Sequence, residues 1–136
     1  MKNFINFFLI ITAFTLFLYS CGEDTTPTQS NNTNNAPTKP QNPFPADSSI
    51  NVSIGTVMVV SWQQCTDPDA GDTVKYDLYV GNSLPLGNTP IVSDLINPSH
   101  GLGILQAGTD YYWKVTAKDN HGATNSSNVW RFRTQN

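Results

Sequence analysis

Four aspartates in two short segments are the residues of this chain whose type and spacing fit metal chemistry. Asp67, Asp69 and Asp72 lie in the run DPDAGD, and Asp119 opens the run DNHG. Calcium takes six to eight oxygen ligands at about 2.4 Å, and carboxylates are among the ligands it prefers. The four aspartates are therefore candidate calcium ligands. The favoured alternative is turn chemistry, in which the carboxylates accept hydrogen bonds from nearby backbone N–H groups and Gly71 adopts a positive φ.

Other chemistries have little support in the sequence. The motifs G-x-S-x-G, H-E-x-x-H and S-x-x-K are absent, and no metal-ligand spacing links His100 and His121. We therefore expect no enzyme activity and no cofactor other than calcium. The chain has 7 Lys and Arg against 10 Asp and Glu, and we expect neither a basic stripe nor a Lys/Arg cluster. Nucleic-acid binding is set aside because it requires a basic patch.

The elements that must hold the acidic segments are short strands. In 111–118, large apolar residues alternate with polar ones, which is typical of a half-buried antiparallel strand. Further strands are predicted at 56–62, 74–80, 91–92, 102–105 and 129–134, with a proline-broken edge strand in PFPADSSI. No amphipathic helix period follows residue 21. Several short strands separated by turn signals predict an all-β sandwich or barrel.

The phase of each strand separates core positions from surface positions. Four large aromatic residues fall on inward phases and are predicted to form the core: Trp62, Tyr76, Trp113 and Phe132. Tyr79, Tyr112 and Val59 fall on outward phases. Exposed aromatic residues can stack on sugars or bind a protein partner, although they also stabilise sheets by cross-strand packing.

The spacing of Leu105, Gly108, Thr109 and Tyr111 resembles the tyrosine corner of fibronectin type III domains. The ordered motifs W…DPD-x-GD, YDLYVG, GTDYYWKV, AKDNHG and VWRFRT resemble the variant of that family found in bacterial extracellular proteins. The resemblance covers nearly all of 40–136. It implies a fibronectin type III or immunoglobulin-like sandwich of about seven antiparallel strands, a hydrogen bond from the Tyr111 hydroxyl to the preceding loop, and both acidic segments at one pole.

The N-terminal 20 residues are predicted to be a signal peptide. Lys2 precedes an apolar run at 7–19, which is shorter than the roughly 20 residues of a membrane-spanning helix. The sequence LYSC at 18–21 resembles a bacterial lipobox. That resemblance implies cleavage between Ser20 and Cys21 and acylation of Cys21 by palmitate-type chains, which anchor a protein stably when two are present.

The segment after the predicted anchor is polar. Glu23 and Asp24 resemble the surface-export signal of some outer-membrane lipoproteins, and 25–43 contains almost only Thr, Asn, Gln and Pro. Such a segment buries too little apolar surface to offset its ordering entropy, so 21–39 is predicted to be a disordered tether before a domain at 40–136. Cys65 then becomes the one free thiol and is expected to be a buried hydrophobe.

These observations predict a class of function but no specific ligand. We expect a membrane-anchored, non-catalytic interaction module of the bacterial cell envelope, an outer-membrane lipoprotein that faces the periplasm or the cell surface and binds a protein partner. Two alternatives remain, a glycan-binding or adhesion module and a calcium-stiffened structural spacer. Sandwiches of this type host many functions, so the fold does not choose among them.

Overall fold

Alternation of apolar and polar residues explains where the longer strands lie in the computed structural model, which describes residues 33–55 and 57–136. Eight strands follow in order: β1 Ser49–Val52, β2 Met58–Ser61, β3 Lys75–Gly81, β4 Val92–Leu95, β5 Ser99–Gly103, β6 Asp110–Lys118, β7 Thr124–Ser126 and β8 Trp130–Thr134. Among the described residues, no helix is long and apolar enough to cross a membrane. The predicted signal peptide, Ser20, Cys21 and the first part of the tether lie outside these ranges.

The strands form two sheets, which confirms the predicted all-β sandwich. The larger sheet has the order β1-β8-β6-β3-β4, with β7 also paired to β6. β1 and β8 are parallel, whereas the other pairs of this sheet are antiparallel. The smaller sheet is the antiparallel pair β2-β5, and Phe44 forms an isolated bridge to Ser61 beside it. Residues before β1 thus contact the smaller sheet, while β1 itself belongs to the larger one.

The core lies between the sheets and contains the residues on the inward phases. Trp62, Tyr76, Trp113 and Phe132 are all buried, as predicted. Their rings meet at angles that aromatic pairs prefer: Trp62 and Tyr76 are edge to face at 5.3 Å, and Trp113 packs on Trp130 at 4.7 Å. Cys65 is also buried, and burial raises the pKa of its thiol.

The predicted tyrosine corner is present at the start of β6. The Tyr111 hydroxyl accepts a hydrogen bond from the Gln106 amide at 3.0 Å, and its ring stacks on Phe132 at 5.6 Å. Gly108 has φ +60°, a conformation that glycine adopts without steric cost, and its amide donates to the Gln135 carbonyl. The corner therefore joins the end of the chain to the start of β6.

Four strands differ from the prediction: β1 lies at the end of PFPADSSI and extends to Val52, β4 extends from Val92 to Leu95, and β5 and β7 differ as follows. The strand predicted at 102–105 is β5, which begins at Ser99 because its register is set by pairing with β2. Gly101 and Gly103 have no side chains, so the sequence of β5 shows no alternation. β7 was missed because Thr124–Ser126 is polar on both faces, and its position depends on pairing with β6.

The tether predicted at 21–39 is ordered over 33–39, because the compact unit already includes the residues from 33 onward rather than from 40. Pro37 and Pro40 are fully buried. The Thr38 amide donates to the Thr66 carbonyl at 2.8 Å, and the Gln63 amide donates to the Gln41 carbonyl at 2.9 Å. Composition predicted a polar coil, but the prolines bury their rings and the backbone pairs with the segment after β2. We call 33–43 the docked segment.

Candidate functional site

The two predicted acidic segments meet at one end of the sandwich, which we call the acidic pole: Asp67, Asp69, Asp72, Asp119 and His121. The first segment lies in the loop 62–74 between β2 and β3, and the second in the turn 119–123 between β6 and β7. The core fixes the start of the first loop, because the Cys65 amide donates to the buried Tyr76 hydroxyl at 2.8 Å. The Asn120 side-chain oxygen accepts from the Thr73 amide at 2.9 Å and joins the two loops.

Three of the four predicted metal ligands come together. Asp67, Asp69 and Asp72 each offer one carboxylate oxygen within 4.8 Å of the others, the one such group of acidic, His or Cys side chains in the described residues. Asp67 Oδ1 accepts from the Asp69 amide at 2.9 Å, which is the turn chemistry predicted as the alternative. Asp67 Oδ2 is shielded from solvent and has no hydrogen-bond partner. A buried carboxylate oxygen without a partner is costly, and a cation would compensate it.

The fourth predicted ligand, Asp119, is not part of this group. Its Oδ1 accepts from the amides of His121 at 2.8 Å and Ala123 at 2.9 Å, and its Oδ2 accepts from the Asn34 side chain at 2.9 Å. Burial alone would raise the pKa of Asp119, but these hydrogen bonds to the ionised form outweigh burial and lower it. Asp119 therefore stabilises its own turn and the docked segment.

His121 is a residue of this site that the sequence did not reveal. Its Nδ1 lies 3.0 Å from Asp72 Oδ2, and the Asp72 side chain is only 7% exposed while that of His121 is 59% exposed. The hydrogen bond to Asp72 raises the pKa of His121 above its usual value, with further attraction from the same carboxylate. The one indication of this pair in the sequence analysis was the expectation that both acidic segments lie at one pole of the sandwich.

The docked segment covers part of the acidic pole. The Asn35 amide and side chain donate to the two oxygens of Asp69 at 2.6 and 3.0 Å. A cleft of about 530 Å³ opens beside these contacts, lined by Thr33, Asn34, Asp69, Ala70, Asp72 and His121. The Asp69 carboxylate thus lies between the cleft and two amide donors, whereas the Asp72 carboxylate contacts the His121 ring.

The residues predicted on outward phases lie on the surface of the two sheets. Val59 is 44% exposed on the smaller sheet, whereas Tyr79 and Tyr112 are partly exposed on the larger one. The exposed apolar residues near Val59 are Phe44 at 62%, Val57 at 58% and Ile104 at 86%. β2 and β5 contain no Lys, Arg, Asp or Glu. The smaller sheet therefore presents an uncharged, apolar outer surface.

No protein-family model and no curated protein matches the sequence. Among solved structures, a fibronectin type III domain of human fibronectin type III domain containing protein 3 is 22% identical, with a TM-score of 0.54, and the match covers 77% of this chain and 92% of that one. A Fn3-like protein from Clostridium thermocellum is 21% identical, with a TM-score of 0.51 and coverage of 75% and 97%. An α-L-rhamnosidase from Dictyoglumus thermophilum is 19% identical, with a TM-score of 0.56 and coverage of 76% of this chain and 13% of the rhamnosidase. At these identities the likeness shows a fibronectin type III fold and nothing more.

Proposed function

We propose that this chain is a non-catalytic interaction module held at the bacterial outer membrane by an acylated Cys21, which binds a protein partner through the smaller sheet. The lipobox-like LYSC and the apolar run before it support the anchor. The observation that supports a protein partner is the unpaired edge of β5, which is the edge that faces away from β2. In the described residues no strand pairs with that edge, and it carries no charge to block pairing.

An extended segment of a partner protein fits this edge. Edge strands present unpaired N–H and C=O groups, and natural proteins protect such edges with charges, prolines or bulges. β5 contains no charge and no proline, although its register with β2 shifts between Gly101 and Gly103. Here Ile104 follows β5 directly, and Val59 lies opposite Gly101 of β5 with Val57 on the same phase of the chain, whereas Phe44 pairs with Ser61 at the other edge of β2. A strand added to β5 would gain backbone hydrogen bonds, and its side chains would bury this apolar surface.

The edge is tested by placing a photo-crosslinking residue at Val59 in intact cells and identifying the products by mass spectrometry. The matched control places it at Ile50, which is 65% exposed on β1 in the other sheet. We expect one dominant envelope protein from position 59 that is absent from position 50, and its loss when Ile104→Lys places a charge beside the edge. The same products from both positions, or none from position 59, would contradict the proposal.

The anchor is tested separately with the two cysteines. Cys21→Ser should abolish incorporation of labelled palmitate and release the chain from the membrane fraction. Cys65→Ala should leave both unchanged because Cys65 is buried. If Cys21→Ser still incorporates palmitate and stays with the membrane, the anchoring proposal is wrong.

A second candidate function, a calcium-stiffened spacer, is favoured by the unpartnered Asp67 Oδ2. Extracellular calcium modules bind with dissociation constants of about 0.1–1 mM. A tenfold excess of calcium over its dissociation constant would stabilise the domain by about 1.4 kcal/mol. That corresponds to a rise in melting temperature of roughly 5–10 °C. Asp67→Asn should remove the rise and Asp47→Asn, an equal charge change elsewhere, should keep it. No shift at millimolar calcium would eliminate this candidate.

A further inference from the structure

Five of the six lysines and arginines in the described part of the chain lie on the outer face of the larger sheet, which we call the basic face. They occupy outward phases of β3, β6 and β8: Lys75, Lys114, Lys118, Arg131 and Arg133. The carboxylates beside them are those of Asp77, Asp94 and Asp110, together with Asp47, which accepts the Arg131 amide hydrogen at 2.9 Å. Five cations against four carboxylates leave an excess of one positive charge on a chain whose net charge is −3.

The ion pairs leave the positive charge unevenly compensated. Lys118 Nζ binds two carboxylates, Asp77 at 2.8 Å and Asp94 at 3.2 Å. Arg131 and Arg133 share the single carboxylate of Asp110, at 2.8 and 3.1 Å. Lys75 and Lys114 form no ion pair with a described residue. The basic face can thus attract an anion at Lys114 and at the shared arginine pair.

Two tyrosines alternate with two of these cations. Tyr79 is opposite Lys114 across β3 and β6, and Tyr112 is opposite Arg131 across β6 and β8. Tyr79 and Tyr112 are therefore diagonal neighbours on β3 and β6, about 7–8 Å apart. Lys114 lies beside Tyr112 on the same face of β6, and Arg131 lies on the far side of Tyr112, on β8. The Lys114 ammonium lies 4.6 Å from the centre of the Tyr79 ring. Because a ring rather than a carboxylate holds it, its charge remains available to an incoming anion.

The neighbouring groups set the limits of this surface. Gly81 is opposite Tyr112, and Leu86 lies 3.2 Å from the position that a Cβ of Gly81 would occupy, so the loop after β3 closes one end. Toward the other end, the hydroxyls of Thr116 and Ser126 share a hydrogen bond of 2.8 Å. The result is a shallow platform of aromatic, cationic and hydroxyl groups.

We propose that the basic face binds an acidic polysaccharide, a chain of sugars that bear carboxylates such as uronic acids. Tyr79 and Tyr112 would stack on the apolar faces of the sugar rings, while Lys114 and Arg131 would bind carboxylates by charge-assisted hydrogen bonds. The alternation of aromatic and cationic residues matches a ligand that alternates apolar ring faces with carboxylates. This surface is on the opposite side of the sandwich from the β5 edge, so it adds a ligand to the proposed protein partner.

The test is affinity electrophoresis of the 136-residue chain at low salt, with polygalacturonate in the gel and neutral dextran as the control polymer. We expect polygalacturonate to retard the chain and dextran to leave it unaffected. Lys114→Gln and Tyr112→Ala should each weaken binding about tenfold or more, the loss of one charged hydrogen bond or one stacked ring. Lys39→Gln is the matched control because it removes the one described cation outside the basic face.

Three results would overturn the proposal. Absence of retardation at low salt would exclude the ligand class. Equal weakening by Lys39→Gln and Lys114→Gln would show diffuse attraction by charge rather than a defined surface. Equally tight binding of poly-glutamate that is insensitive to Tyr112→Ala would identify an acidic polypeptide instead. Near-UV circular dichroism of each variant checks its fold. If Tyr112→Ala does not fold, the affinity of Lys114→Gln for polygalacturonate, compared with that of Lys39→Gln, tests the proposal. None of these outcomes affects the crosslinking test of the β5 edge.

Discussion

The Tyr76 hydroxyl joins the core to the acidic pole, and removing it gives a measurable loss of stability. Tyr76 is 1% exposed, and its oxygen accepts the Cys65 amide hydrogen at 2.8 Å. Tyr76→Phe keeps the ring and its edge contact with Trp62, but it leaves the Cys65 amide buried without an acceptor. An unsatisfied buried donor costs about 1–3 kcal/mol. A domain of this size has about 5–15 kcal/mol of stability, so the loss is a substantial fraction.

Urea denaturation of Tyr76→Phe measures this cost directly. Tyr79→Phe is the matched control, because Tyr79 is on the same strand, faces outward and forms no hydrogen bond through its hydroxyl with a described residue. We expect Tyr79→Phe to stay within about 0.5 kcal/mol of the native chain. Tyr76→Phe should fall by about 1–3 kcal/mol, or roughly 4–8 °C in melting temperature for each kcal/mol. Equal stability of the two variants would refute the reasoning.

Three further predictions concern the loops and turns. The ring resonances of His121 should titrate above the ordinary pKa of about 6.5, and Asp72→Asn should lower the midpoint. Because this pKa is raised in the folded state, the stabilisation by the His121–Asp72 pair is fully present below about pH 6.5 and is lost as pH rises through the folded-state pKa. A titration midpoint of His121 at or below about 6.5 would contradict this prediction. Gly108→Ala should lower the free energy of unfolding by at least about 1–2 kcal/mol in chemical denaturation. The φ angle of Gly108 is +60°, and the new Cβ would lie 2.7 Å from the Asn136 side chain. Gly87→Ala is the control, because a Cβ at that position meets nothing within 4 Å. Asn35→Ala should accelerate limited proteolysis within 33–43, and an unchanged rate would mean that its hydrogen bonds do not hold the docked segment.

The sequence predicted what depends on the phase of a single strand. In β6, alternation placed Trp113, Val115 and Ala117 in the core, because successive side chains of a strand point to opposite faces. The corner at Tyr111 was equally predictable, since its residues are close together in sequence. These features need no knowledge of which strands are neighbours.

Features that depend on neighbouring strands were not predictable. The expectation that the chain has no basic stripe is wrong for the outer face of the larger sheet. Its lysines and arginines are scattered along the sequence, and only the pairing of β3, β6 and β8 brings Lys75, Lys114 and Arg131 onto one surface. The same holds for His121 and Asp72, which are 49 residues apart. The order in 33–43 arises from partners in the loops of the acidic pole, which composition does not show.

The parallel pairing of β1 with β8 has a mechanical consequence. The first residues of the docked segment lie against Asp119, which follows the last residue of β6. The last residue of the chain, Asn136, lies beside Gly108, which precedes the first residue of β6. The two ends of the described chain are thus separated by the length of β6, about 30 Å for nine residues. Tension between them would pull β1 and β8 in opposite directions along their axes, so the hydrogen bonds of this pair would share the load in shear. A domain loaded through these two ends would resist extension until the hydrogen bonds between β1 and β8 fail together.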